Sequence, residues 1–382
     1  MSLPPNNYEM GSYYVGSYNH TSMNDTKIPV MVLYNKTDDY YQGFMPPPPP
    51  SQLLLDIMEF NRWAFLFIII FGVIGNVVSF YIFTKSKLRK VSTSRYFSAI
   101  SIVDIGYLLS TLCTNLTKWG VSVYHVHGLC PLIMYVNHIC TFLSIWYVAS
   151  LVIEKFIGLY WPSKKAHFCT VFRAKCVIIG LAILAVVCYH YVTWTVGSDY
   201  PYMYCYPWPE NELFETWNKL NKVDAVVVSV IPYVLIFCLS CLIGVKTWQF
   251  YKRNRSTGFR LHRRQTAYVP QDKEYKTSGL LLLVAYVTFF LSITNGVFRV
   301  LMIMQPPEMI LIAQLFQTIS YSIKPILYIL GSRPYRKEIW RALKQTFICK
   351  RLFRSSSLSE MQTVSQQTDN GRAIEIVIEK TM

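Results

Sequence analysis

The stretch WAFLFIIIFGVIGNVVSFYIFT, Trp63–Thr84, decides the fold, because it is a continuous apolar segment without Asp, Glu, Lys or Arg. The hydrocarbon core of a bilayer is about 30 Å thick, and about 20 apolar helical residues are needed to cross it. Backbone amides in lipid must find their hydrogen-bond partners within their own segment. The stretch therefore predicts a membrane-spanning helix.

Six further segments of this kind follow along the chain. They are Phe97–Leu116, Leu129–Ile153, Cys176–Val196, Ala225–Val245, Thr277–Phe298 and Met309–Gly331. Across all seven segments, the only Asp, Glu, Lys or Arg side chains are Asp104 and Lys324. The sequence therefore predicts an all-α membrane protein built as a bundle of seven transmembrane helices, with a short amphipathic helix on the inner surface.

The composition is that of a membrane protein rather than a soluble domain. Of the 382 residues, 52% are hydrophobic and 15% are charged, whereas about a quarter of an ordinary soluble domain is charged. The net charge of +16 fits either nucleic-acid binding or membrane topology. Because the basic residues lie between the apolar segments, the sequence indicates topology and no nucleic-acid partner.

Lys and Arg are concentrated in the connections after the first, third and fifth segments. They are Lys85, Lys87, Arg89, Lys90 and Arg95; Lys164, Lys165, Arg173 and Lys175; and nine residues from Lys246 to Lys276. The opposite connections are poor in Lys and Arg and contain the acids Asp199, Glu210, Glu212, Glu215 and Glu308. Since basic loops stay in the cytosol, we expect a multi-pass plasma-membrane protein with its N-terminus outside.

The organisation predicted for the chain has four parts. Residues 1–60 form an extracellular disordered tail with glycosylation sequons at Asn19, Asn24 and Asn35. Residues 61–332 form the bundle, 333–348 the amphipathic helix on the inner membrane surface, and 349–382 a cytoplasmic tail. Cys349 is a candidate for S-palmitoylation, with an unmodified cysteine as the alternative.

Polar residues within or directly after the apolar segments recur at helical spacing. The sets are Asn137, Thr141 and Ser144; Thr288, Ser292, Asn295 and Arg299; and Gln314, Gln317, Thr318, Tyr321, Lys324 and Tyr328. Each set falls on one helical face, which predicts a polar interior, since polar groups avoid lipid. The alternative is that they only form hydrogen bonds between helices.

Five of these polar residues are candidate ligand contacts. They are Asn137, Asn295, Arg299, Gln314 and Gln317. Arg299 lies close to the outer end of its segment, so its side chain either contacts a ligand or extends outward to water.

Residues in order along the chain match a known family. They are Gly75-Asn76, Asp104, Cys130, Ser144, Pro162, Cys205, Pro232, the stretch KPILY from Lys324 to Tyr328, and Tyr335-Arg336. With these motifs, residues from about 60 to 348 resemble a rhodopsin-like (class A) G-protein-coupled receptor, most like an invertebrate neuropeptide receptor. The resemblance implies a disulfide between Cys130 and Cys205. It also implies a heterotrimeric G protein, membrane lipid and arrestin as partners.

The chain departs from the family at the motifs that family members use for activation. Glu154-Lys155-Phe156 replaces the family's D-R-Y, and the sixth segment lacks W-x-P. The resemblance assigns Glu154, Lys155, Phe156 and Tyr328 to G-protein coupling. Lys is a point charge without the planar fork of Arg, so a decoy or scavenger that binds without coupling stays an alternative. A seven-helix chemoreceptor of another type is a further alternative.

The family's sodium site is also altered. In the family, an Asp, a Ser and an Asn surround a sodium ion, and the corresponding positions here are Asp104, Ser144 and Lys324. We expect the lysine ammonium to replace the ion and to pair with Asp104. Ligand affinity should then be insensitive to sodium.

The residues at two family positions argue against retinal and against a monoamine as the ligand. Opsins hold retinal on a lysine where this chain has Thr318, and amine receptors use an aspartate where it has Asn137. The acidic, Tyr-rich connection after the fourth segment favours a basic, aromatic peptide. We find no nucleophile–base–acid set and no Cys/His spacing of the zinc type, so we expect no enzyme activity, cofactor or metal.

Overall fold

The computed structural model describes residues 52–121, 128–198, 205–207, 212–257, 269–301 and 307–342, together with the short pieces 8–9, 34–35, 123 and 344. The pieces Tyr8–Glu9 and Tyr34–Asn35 are strands that pair antiparallel. By their contacts, residues up to Gly331 form one compact unit and residues from Ser332 form a second.

The prediction of a seven-helix bundle is confirmed. The spans are Gln52–Lys85, Ser92–Asn115, Leu129–Tyr160, Val171–Cys188 continued to Thr195, Glu212–Thr257, Val269–Leu301, and Pro307–Ser322 followed by Lys324–Gly331. Six of them are unbroken helices long and apolar enough to cross a membrane, and the seventh is a pair bent by 46°. Shorter helices lie at Lys87–Lys90, Leu116–Trp119 and Pro162–Phe168, and residues 333–342 form the last helix.

The first span begins at Gln52, so the prediction of a disordered tail up to residue 60 is wrong for residues 52–60. This extra length contains Asp56 and Glu59, so it falls outside the charge-free segment from which the span was predicted. Side-chain hydrogen bonds four residues apart stabilise it, from Gln52 to Asp56 at 3.2 Å and from Trp63 to Glu59 at 3.1 Å.

The fourth span ends differently from its prediction. Its α-helix stops at Cys188, and a 3₁₀ turn and a short helix extend it to Thr195. Val196 then starts a strand, Val196–Ser198, that pairs antiparallel with Cys205–Pro207. This hairpin follows the span at the end of the bundle where the first span begins, which we call the proximal end. The opposite end, at Lys85, is the distal end.

The spans close into a ring with one span on its outside. The first packs against the second and seventh, the third against the second and fifth, and the sixth against the fifth and seventh. The fourth packs on the second and third. Only 11% of the residues in its apolar window are buried, against 33–56% in the other five unbroken spans. The fourth span is therefore mostly exposed to lipid.

The fifth span contains one π-helical turn, Val226–Val230. Such a turn holds one residue more than an α-helical turn, which rotates the helix before it by about 100° relative to the helix after it. Val228 and Ser229 of this turn are buried against the bundle.

The bend in the seventh span follows from Pro325. Proline has no backbone N–H, so the carbonyl of Tyr321, four residues earlier, loses its usual helical donor. The Asn76 side chain supplies a replacement, donating from Nδ2 to Tyr321 O at 3.1 Å and to Gly72 O at 2.9 Å. Gly75 lets the first span approach closely, because a Cβ there would lie 3.0 Å from the Pro325 ring.

Candidate functional site

The two charged residues of the apolar segments meet in the centre of the bundle. Lys324 Nζ lies 2.9 Å from Asp104 Oδ1 and donates to Ser144 Oγ at 2.7 Å. Ser144 donates in turn to Asp104 Oδ1 at 2.7 Å. The ammonium also lies 4.9 Å from the centre of the Tyr321 ring, a cation–π distance. The structure thus brings together the three residues at the family's sodium positions.

We call Lys324 and Asp104 the core pair, and both residues, together with Ser144, are closed to solvent. Asp104 and Lys324 are 0% exposed and Ser144 is 2% exposed. Removing two charges from water is costly, and the cost is offset when the charges pair and form hydrogen bonds, as Lys324 Nζ and Asp104 Oδ1 do. The chain's own ammonium therefore holds the place beside Asp104.

A cavity of about 320 Å³ opens at the proximal end of the bundle. Four of the five predicted ligand contacts line it, namely Asn137, Asn295, Gln314 and Gln317. Asn137 is held by a hydrogen bond from its Nδ2 to Ser110 Oγ at 2.9 Å. The side chain of the fifth, Arg299, lies outside the described part of the structure. We call this space the proximal cavity, and its volume is in the range typical of ligand pockets.

The proximal cavity also has a charged wall that the sequence analysis missed. Asp224 is 7% exposed and accepts a hydrogen bond from the Tyr189 hydroxyl. Of the described lining residues, Asp224 is the only one that is Asp, Glu, Lys or Arg. His138 lines the same space and packs against Tyr189, with ring centroids 5.7 Å apart.

Asp224 was missed because it directly precedes the apolar segment that starts at Ala225. An acid at that edge looks the same as the loop acids Glu210, Glu212 and Glu215. Its one signal was helical spacing, because Val228, four residues later, lines the same cavity. The π turn at Val226–Val230 makes that spacing an unreliable guide to a shared face.

A short chain of contacts joins the proximal cavity to the core pair. Asn295 Nδ2 donates to Gln317 Oε1 at 2.6 Å, and Gln317 Nε2 donates to the Tyr321 hydroxyl at 3.4 Å. The Tyr321 ring faces the Lys324 ammonium. A second cavity of about 20 Å³, roughly the space of one water molecule, lies among Thr288, Ser292 and these residues.

The residues assigned to coupling lie at the distal end. Glu154 accepts a hydrogen bond from the Ser92 hydroxyl of the second span. Lys155 is 9% exposed, and the Phe156 ring lies 4.5 Å from that of Tyr160. Tyr328 packs against Phe83 and Phe97, with centroids 5.3 and 4.8 Å away. The Ser92–Glu154 hydrogen bond and the Tyr328 ring contacts join the distal ends of different spans.

The remaining predicted sites are described only in part. Cys130 is fully buried, disulfide-bonded and packed against Val192 and Val196. Asn35 ends a described strand, but its side chain is not described. Asn19, Asn24 and Cys349 lie outside the described residues. Within the described part, no group of three His, Cys, Asp or Glu is placed to hold a metal ion.

Comparison with known proteins gives the class. The sequence profile of the 7 transmembrane receptor (rhodopsin family) matches residues 75–328, so the chain belongs to that family. It is a G-protein-coupled receptor and a multi-pass membrane protein, as the order of motifs predicted.

Its relatives are similar at low identity. Growth hormone secretagogue receptor type 1 of Homo sapiens is 22% identical over 294 residues, covering 71% of this chain and 77% of the relative. The same receptor of Sus scrofa is 23% identical over 297 residues, with the same coverage. The thyrotropin-releasing hormone receptor of Mus musculus is 27% identical over 110 residues, 28% of each chain.

Proposed function

We propose that this receptor binds an extracellular neuropeptide in the proximal cavity and transmits that binding to a heterotrimeric G protein at the distal end. The observation that carries the proposal is the cavity itself, whose wall contains several carboxamide side chains and one carboxylate. The relatives' names, which are those of hormone and secretagogue receptors, support a ligand of this kind.

The cavity wall matches the chemistry of a peptide terminus. The carboxamides of Asn137, Asn295, Gln314 and Gln317 each donate and accept, as peptide amides and an amidated C-terminus require. Asp224 supplies a negative charge for a basic group of the ligand. A cavity of this size admits the end of a peptide, and the rest of the ligand would lie on the proximal surface.

The proposed orientation puts the proximal end outside the plasma membrane and the distal end in the cytosol. Asn19, Asn24 and Asn35 would then be glycosylated. We propose that Cys130 pairs with Cys205, because Cys130 packs against Val196 and the strand of Val196 pairs with that of Cys205. Residues 333–348 would lie on the inner membrane surface, with Cys349 available for S-palmitoylation.

Coupling would use Glu154, Lys155, Phe156 and Tyr328, with arrestin as a further partner of the same end. In the described conformation, Ser92 is hydrogen-bonded to Glu154, and Tyr328 is packed between the first two spans. A ligand that favours a state with these contacts broken would open the distal end to the G protein.

A second candidate is a receptor that binds its ligand without coupling. The observation that favours it is Lys155, which stands in the place of the family's arginine and is only 9% exposed. An ammonium without the planar guanidinium fork makes fewer directed contacts with a partner.

One experiment separates the two candidates. The receptor is expressed in cells, and calcium and cyclic-nucleotide responses to a neuropeptide library are recorded. A saturable response to a peptide whose potency falls in the Asp224→Asn variant supports the coupled receptor. Silence at confirmed surface expression, combined with saturable binding of a labelled peptide, supports the non-coupling one.

A further inference from the structure

The distal end of the fourth span holds a cluster of basic residues beside exposed aromatic rings. Residues 160–175 contain Lys164, Lys165, His167, Arg173 and Lys175 and no Asp or Glu. Positive loops are expected at this end from topology alone. Topology alone does not explain the geometry of the cluster, because some of these side chains lie on one face and others point elsewhere.

Arg173 is held in one orientation. Its Nη2 lies 2.9 Å from His167 Nε2, and its guanidinium lies 4.8 Å from the centre of the Phe168 ring. Guanidinium can only donate, so the imidazole nitrogen accepts. The arginine fork is therefore fixed over the short helix Pro162–Phe168 by two neutral groups, and no carboxylate takes part in either contact.

Lys164 and Lys165 differ. Lys164 is exposed and lies three residues before His167 and four before Phe168, so these three side chains share one face of the short helix. The stem of Lys165 instead packs beside Gly158 of the third span, 3.8 Å from where a Cβ there would lie. Because Arg173 contacts His167 and Phe168, Lys164 and Arg173 supply two charges to one face around these two rings.

Exposed aromatic rings adjoin this face. Phe168 is 47% exposed and Phe172, next to Arg173, is 75% exposed. The fourth span, which continues from these rings, is the least buried of the unbroken spans, since only 11% of the residues in its most apolar stretch are buried. Basic side chains beside exposed aromatic rings at a membrane edge suit an anionic headgroup with its acyl chains alongside.

We propose that Lys164, His167 and Arg173 bind the phosphorylated headgroup of a phosphoinositide in the cytosolic leaflet. A phosphate oxygen replaces the His167 nitrogen as the acceptor of the Arg173 fork, and Lys164 adds a second charged donor. His167 then donates its own ring N–H, and Phe168 and Phe172 contact the glycerol and acyl chains. The inference rests on the proposed function only for which end faces the cytosol.

The test uses the full chain in phosphatidylcholine nanodiscs that contain a fluorescent phosphatidylinositol bisphosphate. The Lys164→Gln/Arg173→Gln variant should lower the affinity for that lipid at least about tenfold, as expected for two lost basic contacts. The matched control is Lys87→Gln/Lys90→Gln, which removes two exposed charges from the same end and should change the affinity less than about twofold. The Arg173→Lys variant keeps the charge, loses the fork and should fall between them.

Four outcomes would overturn the proposal. The control variant weakens lipid binding as much as the test variant. Phosphatidylserine displaces the probe as well as the phosphoinositide does. Soluble inositol trisphosphate binds as tightly as the lipid, which assigns the face to a free phosphate. The test variant keeps lipid binding but loses G-protein activation, which assigns the face to a protein partner.

Failure of this inference can be told apart from failure of the proposed function. Both ends of the receptor are open to solution in a nanodisc, so lipid binding is measured whichever way the chain lies in a cell. Epitope tags at the two termini of the cell-surface receptor measure orientation separately. The melting temperature of each variant in the same nanodiscs shows whether it is folded.

Discussion

The core pair and the proximal cavity are both polar, yet they use their polar groups in opposite ways. The core pair, Lys324 and Asp104, and its partner Ser144 have contacting atoms within 2.9 Å of one another and are sealed from solvent. In the proximal cavity, Asn137, Asn295 and Asp224 line about 320 Å³ of open space. A polar cluster that pairs with itself stabilises a conformation, whereas one that surrounds a space can bind a ligand.

The largest effect should come from breaking the core pair. Lys324→Ala leaves Asp104 buried without its counter-charge, which we expect to destabilise the receptor by about 3–5 kcal/mol. The Asp104→Asn/Lys324→Asn variant removes both charges and should be milder. Surface expression and melting temperature measure both, with Lys90→Ala at an exposed site as the control. Wild-type expression of Lys324→Ala would show that the pair is not needed for stability.

The next effect should be on ligand binding and not on folding. Asp224→Asn removes the only carboxylate among the described lining residues and should lower the potency of a basic peptide about 10–100-fold, as for a lost charged hydrogen bond of about 1.5–3 kcal/mol. Tyr189→Phe removes the hydrogen bond to Asp224 but keeps the charge, so it should cost less. Equal losses in both variants would mean that the hydrogen bond matters and the charge does not.

A smaller effect is expected from breaking the hydrogen bond between Asn295 and Gln317, which belongs to the chain of contacts from the proximal cavity to the core pair. Asn295→Ala and Gln317→Ala each remove one partner of a 2.6 Å hydrogen bond, with an expected cost of about 1 kcal/mol, or about fivefold in potency. Because each loses the same bond, the double variant should cost less than the sum of the two. Strict additivity in this double-mutant cycle would show that the two side chains act independently.

The smallest expected effect is none. Because the Lys324 ammonium already lies beside Asp104, replacing sodium with a large organic cation should leave ligand affinity unchanged. Binding isotherms at constant ionic strength measure this. A sodium-dependent shift in the wild-type receptor would contradict the role given to Lys324.

The sequence predicted the core pair better than the proximal cavity. Asp104 and Lys324 are the only charges in the seven apolar segments, and the resemblance places both at the family's sodium positions, which is why they were predicted to meet. Asp224, next to a segment boundary, had no such signal. Neutral polar residues at helical spacing predicted four of the cavity-lining side chains because spacing fixes a helical face.

Details that depend on contacts between spans escaped the sequence analysis. The first helix begins at Gln52, before the charge-free segment, and its acids Asp56 and Glu59 accept side-chain hydrogen bonds four residues apart. The Asn76 side chain satisfies the Tyr321 carbonyl across a separation of 245 residues, which no local pattern shows. The hydropathy pattern set the number of spans, and pairing between spans set their ends and bends.

The π turn at Val226–Val230 has a consequence for comparing this receptor with others. Residues numbered from Pro232 keep their register in a relative that lacks the turn, but towards the N-terminus of Val226 the two chains are offset by one residue. A gap-free alignment would then place Asp224 opposite a residue that faces about 100° away. Cavity residues of the fifth span should therefore be transferred between such relatives only with a one-residue insertion at this turn.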